Sequence, residues 1–519
     1  MTKQKQLHKK YLLYAFFIGY FLLNTIFLTR FPFIHSDESW LSGLSRNMLE
    51  NKSFSVTESF YDLKIRNPHA IKILFHMIQV LFIQCFGYSL FNMRMISLLF
   101  GLLSLGSMYK LSAYIFNSSK WAVLAMLLLS VDIQFIYASH FARQEILLVC
   151  VLTYGLYFMF SRMDEKGYKK DLLLGVLVGL SIGLHPNSFV IALPFGLIYL
   201  YHICLTKRTH LMNLLLYAFT VAGFATGFVL LSISFDPNFI SNYMAYGQSE
   251  FEVLQPISSK ILQVKYYYLK LFYQVSGTYY TPNIKLQAIL FLSALFFSTI
   301  ILFRRKGREK ENILSTLLGI LAVNSGNILI GRYNQTSVIF LFPLFYILVI
   351  YAVKNLPMLY KRLSIGIIIS LILIATTMQI FPLGNPTYDQ YVAEISKVVP
   401  SDSVVLANLN TEYYFENGKL YDYRNLAFLK NHEMDFEEYI YKNQIQYIIY
   451  PEEMDFIYDT RPVWYGLYGN LVYYEEMKAF LTQKCDKVYE FTDSVYGIRI
   501  VRYMNTKDWK IKIYKVRDN

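Results

Sequence analysis

The chain has few charged residues for its length. Charged residues make up 16% of its 519 residues, whereas 55% are hydrophobic. Because soluble proteins carry about 25% charged residues, most of this chain is predicted to lie in a bilayer. The formal net charge of +13 comes from basic residues in short loops between apolar runs, which is the positive-inside pattern of membrane proteins. Nucleic acid is therefore not an expected partner.

Cysteine is also scarce. Of the four cysteines, Cys85, Cys150 and Cys204 lie in apolar segments, which leaves Cys485 without an evident partner. This usage indicates neither a disulfide framework nor a cysteine-based metal site. Internal repeats and low-complexity segments are absent from the sequence as well. The first apolar run, residues 11–29, has no small-x-small cleavage site and is predicted to be an uncleaved first span with its basic end in the cytoplasm.

Long apolar runs are abundant. Crossing a hydrocarbon core of ~30 Å takes roughly 20 helical residues, and ten runs approach that length, with one shorter run beside them. The eleven predicted spans are residues 11–29, 93–116, 119–137, 143–160, 172–184, 187–204, 211–234, 286–303, 312–330, 336–353 and 363–382. With the basic loops in the cytoplasm, this count predicts a multi-pass plasma-membrane protein whose N-terminus is cytoplasmic and whose last segment is extracytoplasmic.

The first outer loop contains an apolar segment that is not counted as a span. Over residues 69–88, apolar residues repeat at helical spacing on one face, while Lys72, His76 and Gln79 share another. Such an amphipathic helix is suited to lying in the membrane interface, and residues 39–50 are predicted to form a shorter one. The loop departs from the positive-inside rule, because it also holds Arg30, Arg46, Lys52, Lys64 and Arg66.

The composition changes after the last predicted span. Residues 384–519 are polar and rich in tyrosine and charge, and short apolar segments such as 403–409 and 445–451 alternate with helical ones such as 433–443. This alternation predicts an α/β domain of usual size. The predicted fold is therefore mainly α: a polytopic helical membrane domain over residues 1–383, followed by a small extracytoplasmic α/β domain.

An acidic pair opens the first outer loop, in the segment HSDESW. Ionised groups near hydrocarbon are costly, and membrane proteins keep them mainly for chemistry or transport. Asp37 and Glu38 are adjacent and point in different directions on any regular element, so one can act as a base while the other binds a metal or orients an acceptor. The start of a helix capped by Ser36 or Asp37 explains the pair equally well.

Later turns add basic groups on the same predicted side. The candidates there are His140, Arg143, Glu145, His185, Arg332 and Tyr333, with Asp132 as a second buried acid. A guanidinium fork suits a phosphate, and Glu145 is placed to order Arg143 or to ligate a cation. Each of these residues also has a structural explanation. The arginine can snorkel and form a salt bridge, the histidine can be structural, and Asp132 can be a hydrogen-bonding group.

His185 follows the shortest predicted span. Residues 172–184 would form roughly 20 Å of helix, which is short of the hydrocarbon core. Either residues 168–171 extend this helix, or its outer end stops below the membrane surface. The second alternative is favoured and would place His185 inside a cavity. An acid on one side of that cavity and arginine and histidine on the other suit a base opposed to a phosphate leaving group.

The order of these segments resembles the GT-C superfamily of integral membrane glycosyltransferases, especially protein O-mannosyltransferases and the aminoarabinose transferase of lipid A. The resemblance covers roughly residues 10–382. The segments that carry it are HSDESW, NPHAIKILFH, FNMRMISLLFGLLSLGSMYKLSAYIF, HFARQEILL, GLSIGLHPNSFVIALP and GRYNQTSVIFLFPLFY.

The resemblance implies a polyprenyl-monophosphate sugar as donor and transfer by direct displacement with inversion. Asp37 would lie near the acceptor, with Glu38 in support. The phosphate would be held by the basic and neighbouring groups of the later turns, which are Arg143, Glu145, His185, Arg332 and Tyr333. The acceptor, which is a glycan, lipid or protein, would meet the donor outside the membrane.

Two departures and an open cofactor question accompany the resemblance. Family members often carry Asp where Glu145 stands, and some branches carry Lys near His185. No cofactor is assigned, but a divalent metal is left open. Its candidate ligands are Asp37, Glu38, His69 and His76.

Two other activities would use the same features. A ligase or polymerase that moves a whole glycan from a lipid diphosphate would share the cavity and its cations. A transporter or flippase of lipid-linked saccharides would also use intramembrane charge, but such proteins usually show internal repeats and interrupted helices in matching positions. A flippase also has little need of a large external domain.

Overall fold

The computed structural model describes residues 3–251, 254–275, 277–331 and 333–517. It is a helical bundle followed by a region with a single five-stranded sheet in the described residues. The helices of the bundle and its outer loops are α1 (Lys3–Phe27), α2 (Ser36–Glu50), α3 (Ile73–Phe86), α4 (Leu90–Phe116), α5 (Ser119–Ser130), α6 (Ile133–His140), α7 (Glu145–Ser161), α8 (Lys169–Leu180), α9 (Ser188–Tyr201), α10 (Leu211–Phe235), α11 (Phe239–Phe251), α12 (Ile257–Phe272), α13 (Lys285–Phe303), α14 (Arg308–Ile330), α15 (Phe342–Lys354) and α16 (Met358–Ile380).

The multi-pass helical architecture is confirmed. Among the described residues, eight helices are long and apolar enough to cross a membrane, and the bent pair α5–α6 makes a ninth if it is one span. The remaining two predicted spans correspond to α7, of 17 residues, and α8, of 12 residues. The count of eleven requires both of these shorter helices to cross, and it stays a prediction.

The break between α5 and α6 accounts for the buried position of Asp132. The two helices meet at 67°, and Asp132 is the N-cap of α6, where its Oδ1 accepts a hydrogen bond from the Gln134 backbone N–H at 2.8 Å. Its other oxygen accepts from Tyr346 at 2.6 Å and from Gln287 at 2.9 Å. Asp132 therefore lies between the two helices and caps the second one. This is the hydrogen-bonding role that the sequence left open beside a chemical one.

Helix α8 packs on α10 through small residues. Gly175 and Gly179 stand one turn apart and face Thr220 and Phe224, and a Cβ atom on either glycine would come within 2.6 Å of the facing side chain. Where lipid surrounds a bundle, such close approach of small residues supplies the packing between helices. The short predicted span is thus a tightly packed helix.

The two helices predicted in the first outer loop are present as α2 and α3. The polar residues of α3 turn inward, where Ser45 of α2 contacts His76 at 2.8 Å and donates to Gln79 at 2.7 Å. The outward side is apolar, with Leu81 and Phe86 exposed. An apolar outer face with polar contacts beneath it is the arrangement expected of a helix that lies against lipid.

The C-terminal region is α/β, as predicted. Its strands are β1 (Val404–Ala407), β2 (Lys419–Asp422), β3 (Tyr447–Pro451), β4 (Cys485–Asp493) and β5 (Trp509–Val516), and its helices are α17 (Tyr388–Ser396), α18 (Phe436–Lys442), α19 (Glu453–Thr460) and α20 (Tyr474–Lys484). The strand order is β2-β1-β3-β5-β4. Strands β1, β2 and β3 are parallel, whereas β5 is antiparallel to both of its neighbours.

This region shares a hydrophobic core with the first outer loop. Phe33 and Phe60 of the loop belong to the same buried cluster as Val405, Leu420 and Ile513 of the sheet. Burial of side chains of this size contributes about 1.5–3 kcal/mol each, so the sheet is held against the loop rather than tethered to it. The predicted domain boundary at residue 383 stays a prediction.

Candidate functional site

A cavity of about 1190 Å³ opens between the first outer loop, α12, the turn before α7 and the C-terminal region. Six cationic side chains line it against two carboxylates, which gives a formal excess of four positive charges among the described residues. The cations are Lys64, Arg66, Lys72, Arg143, Lys270 and Arg424, and the carboxylates are Asp37 and Glu58. A cleft lined by one sign of charge concentrates ligands of the opposite sign, so this cavity is suited to anions.

Helix α2 presents one stripe of residues to the cavity. Asp37, Trp40, Leu41 and Leu44 all line it, and their spacing is that of one helical face. The helix begins after His35, whose ring accepts the Asp37 backbone N–H at 3.0 Å. Asp37 therefore stands in the first turn, where the helix dipole favours a negative charge.

Asp37 is held by one arginine and one tyrosine. Arg143 Nη1 lies 2.8 Å from Asp37 Oδ2, and the Tyr279 hydroxyl donates to the same oxygen. Arg143 also donates to the Tyr279 hydroxyl at 2.7 Å. The His35 ring stacks on Tyr279 with ring centres 4.1 Å apart, and its Nε2 contacts Thr278 Oγ1 at 2.8 Å. The carboxylate is thus fixed in position while a quarter of its side chain stays exposed.

These contacts keep Asp37 ionised. Burial alone would raise its pKa, but the charge of a protonated His35, the positive charge of Arg143 and the hydrogen bond from Tyr279 bring the pKa of Asp37 below its ordinary value. Burial lowers the pKa of the adjacent His35 to about 3, so this ring is neutral at physiological pH. The charged partner of the carboxylate at neutral pH is therefore Arg143.

Glu38 points away from the cavity. Its two oxygens accept from Arg94 Nε at 2.7 Å and Nη2 at 2.8 Å, with both side chains fully buried. The backbone N–H groups of His35 and Ala142 donate to it at 3.0 Å each. A buried bidentate pair of this kind joins α2 to α4 and to the turn before α7. The structure therefore places Glu38 in a positioning role behind Asp37.

Arg143 and Glu145 come together as predicted. Arg143 Nη2 lies 3.0 Å from Glu145 Oε1, and Thr336 Oγ1 donates to the same oxygen at 2.6 Å. Arg143 lines the cavity, whereas Glu145 lies behind it. Glu145 thus orders the guanidinium, which was one of its two predicted roles.

Two predicted histidines are not brought to the cavity that the described residues form. His185 is buried, and its Nδ1 accepts the Asn187 backbone N–H at 3.0 Å. His140 contacts the Phe31 carbonyl oxygen at 3.0 Å and Asn24 Oδ1 at 2.8 Å. His185 is therefore not among the described residues that line this cavity, and its predicted contact with a phosphate stays a prediction.

The last predicted pair is described only in part. Arg332 lies outside the described residues. Tyr333 lines the cavity, and its hydroxyl donates to the Lys260 carbonyl oxygen at 2.5 Å. This contact attaches the turn after α14 to α12, so both elements form one wall of the cavity.

Sequence reasoning missed much of the cationic lining. Lys270 and Arg424 come from segments without a recognisable motif, and Tyr279 lies in a polar loop between α12 and α13. A signal existed for Lys64 and Arg66, because both belong to the basic residues that depart from the positive-inside rule in the first outer loop.

Three of the four predicted metal ligands are engaged by other side chains. Arg94 takes both oxygens of Glu38, Ser45 contacts the His76 ring, and Arg143 and Tyr279 share one oxygen of Asp37. In the described part of the chain, no group of three histidine, cysteine, aspartate or glutamate side chains is arranged to hold a metal ion. Divalent-metal binding by these four residues stays a prediction.

Comparison with known proteins adds to this geometry. Residues 69–232 match the family model described as dolichyl-phosphate-mannose-protein mannosyltransferase. No curated protein sequence matches the chain significantly.

Solved structures match over nearly the whole chain. ArnT from Cupriavidus metallidurans bound to undecaprenyl phosphate has a TM-score of 0.64 at 13% identity, covering 97% of each chain, and its apo state has a TM-score of 0.60. An oligosaccharyltransferase from Archaeoglobus fulgidus, in complex with Zn and sulfate, has a TM-score of 0.52 at 13% identity, covering 86% of this chain and 69% of that one. These matches confirm the resemblance predicted from the sequence, and they show that this chain shares the fold of the ArnT structure.

Proposed function

We propose that this chain transfers a sugar from a polyprenyl-phosphate donor to an acceptor in the cavity lined by Asp37 and Arg143. The observation that carries the proposal is the Asp37 carboxylate, held by Arg143 and Tyr279 in a cavity whose described lining has six cationic side chains and two carboxylates. Fixed cations stabilise the charge that develops on a departing phosphate. The likeness to a structure that holds undecaprenyl phosphate supports a donor of this class.

Asp37 is assigned as the base that receives the proton of the acceptor hydroxyl. Its Oδ2 is engaged by Arg143 and Tyr279, so Oδ1 is the oxygen that receives the acceptor proton. The acceptor oxygen forms a bond to the anomeric carbon as the bond from that carbon to the phosphate oxygen breaks, and the electron pair leaves with the phosphate. A carboxylate of lowered pKa accepts the proton late, when the new bond makes the hydroxyl acidic. One displacement inverts the anomeric carbon.

The donor phosphate is assigned to Arg143 together with two lysines that line the same cavity, Lys72 and Lys270. Glu145 orients Arg143. Arg332 adjoins the cavity-lining Tyr333 in the sequence, so it stays a predicted phosphate ligand. His185 is assigned a structural role. We place the cavity and the C-terminal region on the extracytoplasmic side and the N-terminus in the cytoplasm, as the basic loops predict.

The test is Asp37→Asn in the full chain, reconstituted in membranes with a radiolabelled polyprenyl-phosphate sugar and a cell-envelope extract as acceptor. Loss of the base should lower transfer at least ~10²-fold, with donor binding within about threefold of wild type because the cations remain. Glu50→Gln is the matched control, since Glu50 lies at the far end of the same helix and is exposed.

Full turnover by Asp37→Asn would contradict the role of this residue. Movement of the labelled saccharide across the bilayer without transfer, by wild type and variant alike, would instead identify a flippase.

A further inference from the structure

Gln144 lines the cavity directly after Arg143 in the sequence, and its side chain is only 1% exposed. Both polar atoms of its amide, Nε2 and Oε1, are buried without a hydrogen-bond partner. No other residue in the described part of the chain has two buried side-chain atoms in this state. Because a buried polar group without a partner costs free energy, this amide favours a partner from outside the chain.

A second glutamine of the cavity lining shows the usual arrangement. Gln335 Oε1 accepts from Thr281 Oγ1 at 2.6 Å, and its Nε2 donates to the Val275 carbonyl oxygen at 2.9 Å. The fold thus fills both halves of this amide and neither half of the amide of Gln144. Gln144 is the N-cap residue of α7, but its side chain makes no capping hydrogen bond. Helix capping therefore does not account for it.

The chemistry of the amide restricts its partner. Nε2 donates and Oε1 accepts, so a group that satisfies both atoms must offer an acceptor and a donor of its own. A phosphodiester offers acceptor oxygens only, an ammonium group offers donors only, and a polyprenyl chain offers neither. A hydroxyl group offers both.

The position of Gln144 indicates which hydroxyl-bearing group it meets. Its Cα atom is about 3.8 Å from that of Arg143, which the proposed function assigns to the donor phosphate. That phosphate carries a sugar on one side and a polyprenyl chain on the other, and only the sugar has hydroxyl groups. The hydroxyl of the acceptor is already assigned to Asp37, which lies 2.8 Å from Arg143.

We propose that Gln144 binds the sugar of the donor, with one sugar hydroxyl donating to Oε1 and the same or a neighbouring hydroxyl accepting from Nε2. This inference rests on the proposed function and deepens it. It identifies the transferred group as a sugar that presents uncharged hydroxyls to Gln144, and it makes Gln144 a specificity-determining residue beside the phosphate ligand Arg143.

The experiment measures lipid binding by the full chain in detergent micelles, without acceptor. The probes are undecaprenyl phosphate carrying glucose, mannose or galactose, and undecaprenyl methyl phosphate, a diester of the same charge without a sugar. Gln144→Met keeps the length of the side chain and removes both polar atoms. Its affinity for at least one of the three sugar lipids should fall about tenfold, whereas its affinity for the methyl diester should stay within about twofold of wild type.

The matched control is Gln263→Met. Gln263 also lines the cavity, but its Nε2 already donates to Gln255 Oε1 at 2.7 Å. Its substitution should leave the affinity for every probe within about twofold of wild type. The melting temperature of Gln144→Met should be no lower than that of wild type, because the amide that it loses has no partner in the fold.

Three results would overturn the inference and leave the proposed function intact. The first is equal affinity of wild type and Gln144→Met for all three sugar lipids. The second is an equal loss for the methyl diester, since Gln144 would then act on the phosphate or on the fold. The third is wild type that binds the methyl diester but none of the sugar lipids. Failure of wild type to bind any of the four lipids would instead contradict the proposed function.

Discussion

Two arginines at opposite ends of α7 make nearly the same contacts and differ in what lies beside them. Near the start of the helix, Arg143 joins Asp37 and Glu145 at 2.8 and 3.0 Å. Beyond its other end, about 25 Å away along the helix, Arg208 joins Asp164 and Glu311, the latter at 2.6 Å.

The two arginines differ in their surroundings. Arg143 lines a cavity of about 1190 Å³. Near Arg208, a pocket lined by Lys170 and Tyr199 has a volume of about 10 Å³, roughly the space of a single water molecule. The acid at that end, Asp171, accepts from Tyr199 and Asn213. Ion pairs in an apolar chain therefore do not by themselves indicate a functional site, and it is the large cavity beside Arg143 that makes its ion pairs the candidate site.

The largest expected effect is the difference between two substitutions of arginine by lysine, one at Arg143 and one at Arg208. Lysine keeps the charge but cannot bridge two carboxylates with a planar fork. Arg143→Lys should lower sugar transfer about 10³-fold, as removal of a fixed donor at a transition state does. Arg208→Lys should leave transfer within about threefold, because Arg208 lies outside the lining of the large cavity and its ion pair with the half-exposed Asp164 contributes about 1 kcal/mol or less. Equal losses of sugar transfer in the two variants would contradict the difference that we draw between the two arginines.

Glu38→Gln tests whether a buried pair behind the cavity acts on stability. Arg94 would be left as a buried charge without its carboxylate, at a cost of about 3 kcal/mol. The variant should melt at a clearly lower temperature, while the fraction that stays folded should keep most of its donor binding. A melting temperature equal to that of wild type would contradict the positioning role of Glu38.

Tyr279→Phe tests the contacts between Asp37 and Arg143 inside the cavity. Its hydroxyl connects Asp37 and Arg143, so its loss should lower the rate constant of transfer about tenfold, which corresponds to about 1.4 kcal/mol. The ring and its stacking on His35 remain, so melting temperature and donor affinity should change little. Tyr465→Phe, a half-buried tyrosine outside the cavity lining, serves as the control.

The smallest expected effect concerns a buried pair between α2 and the C-terminal region. Arg46 Nη2 lies 2.9 Å from Glu412 Oε1. Burial raises the pKa of Glu412 to about 7, although Arg46 lowers it in part. A raised carboxyl pKa stabilises the fold below its ordinary pKa, and this contribution is lost as pH rises through the folded value.

Stability should therefore fall by about 1 kcal/mol between pH 6 and pH 8. Thermal melting at the two pH values would measure the fall, and Glu412→Gln should remove it. A pH dependence that persists in Glu412→Gln would assign the effect to another group.

The sequence predicted part of the site for identifiable reasons. Asp37, Arg143 and Glu145 were found because charge is conspicuous beside long apolar runs, and the structure brings them into contact. The roles assigned to the candidate residues stay predictions. Glu38 is one residue from Asp37, yet it points into the protein, since adjacent helical positions are about 100° apart. His185 lies in a turn whose backbone holds its ring.

Local pattern determined the helical membrane architecture, the two outer-loop helices and the α/β character of the C-terminal region, because hydrophobic periodicity and run length act over neighbouring residues. Tertiary structure alone decided which charges meet. Arg424 is 384 residues from Trp40 and reaches it only because the sheet packs on the first outer loop. Contacts over such separations depend on how complementary buried surfaces pack, which no local pattern in one sequence encodes.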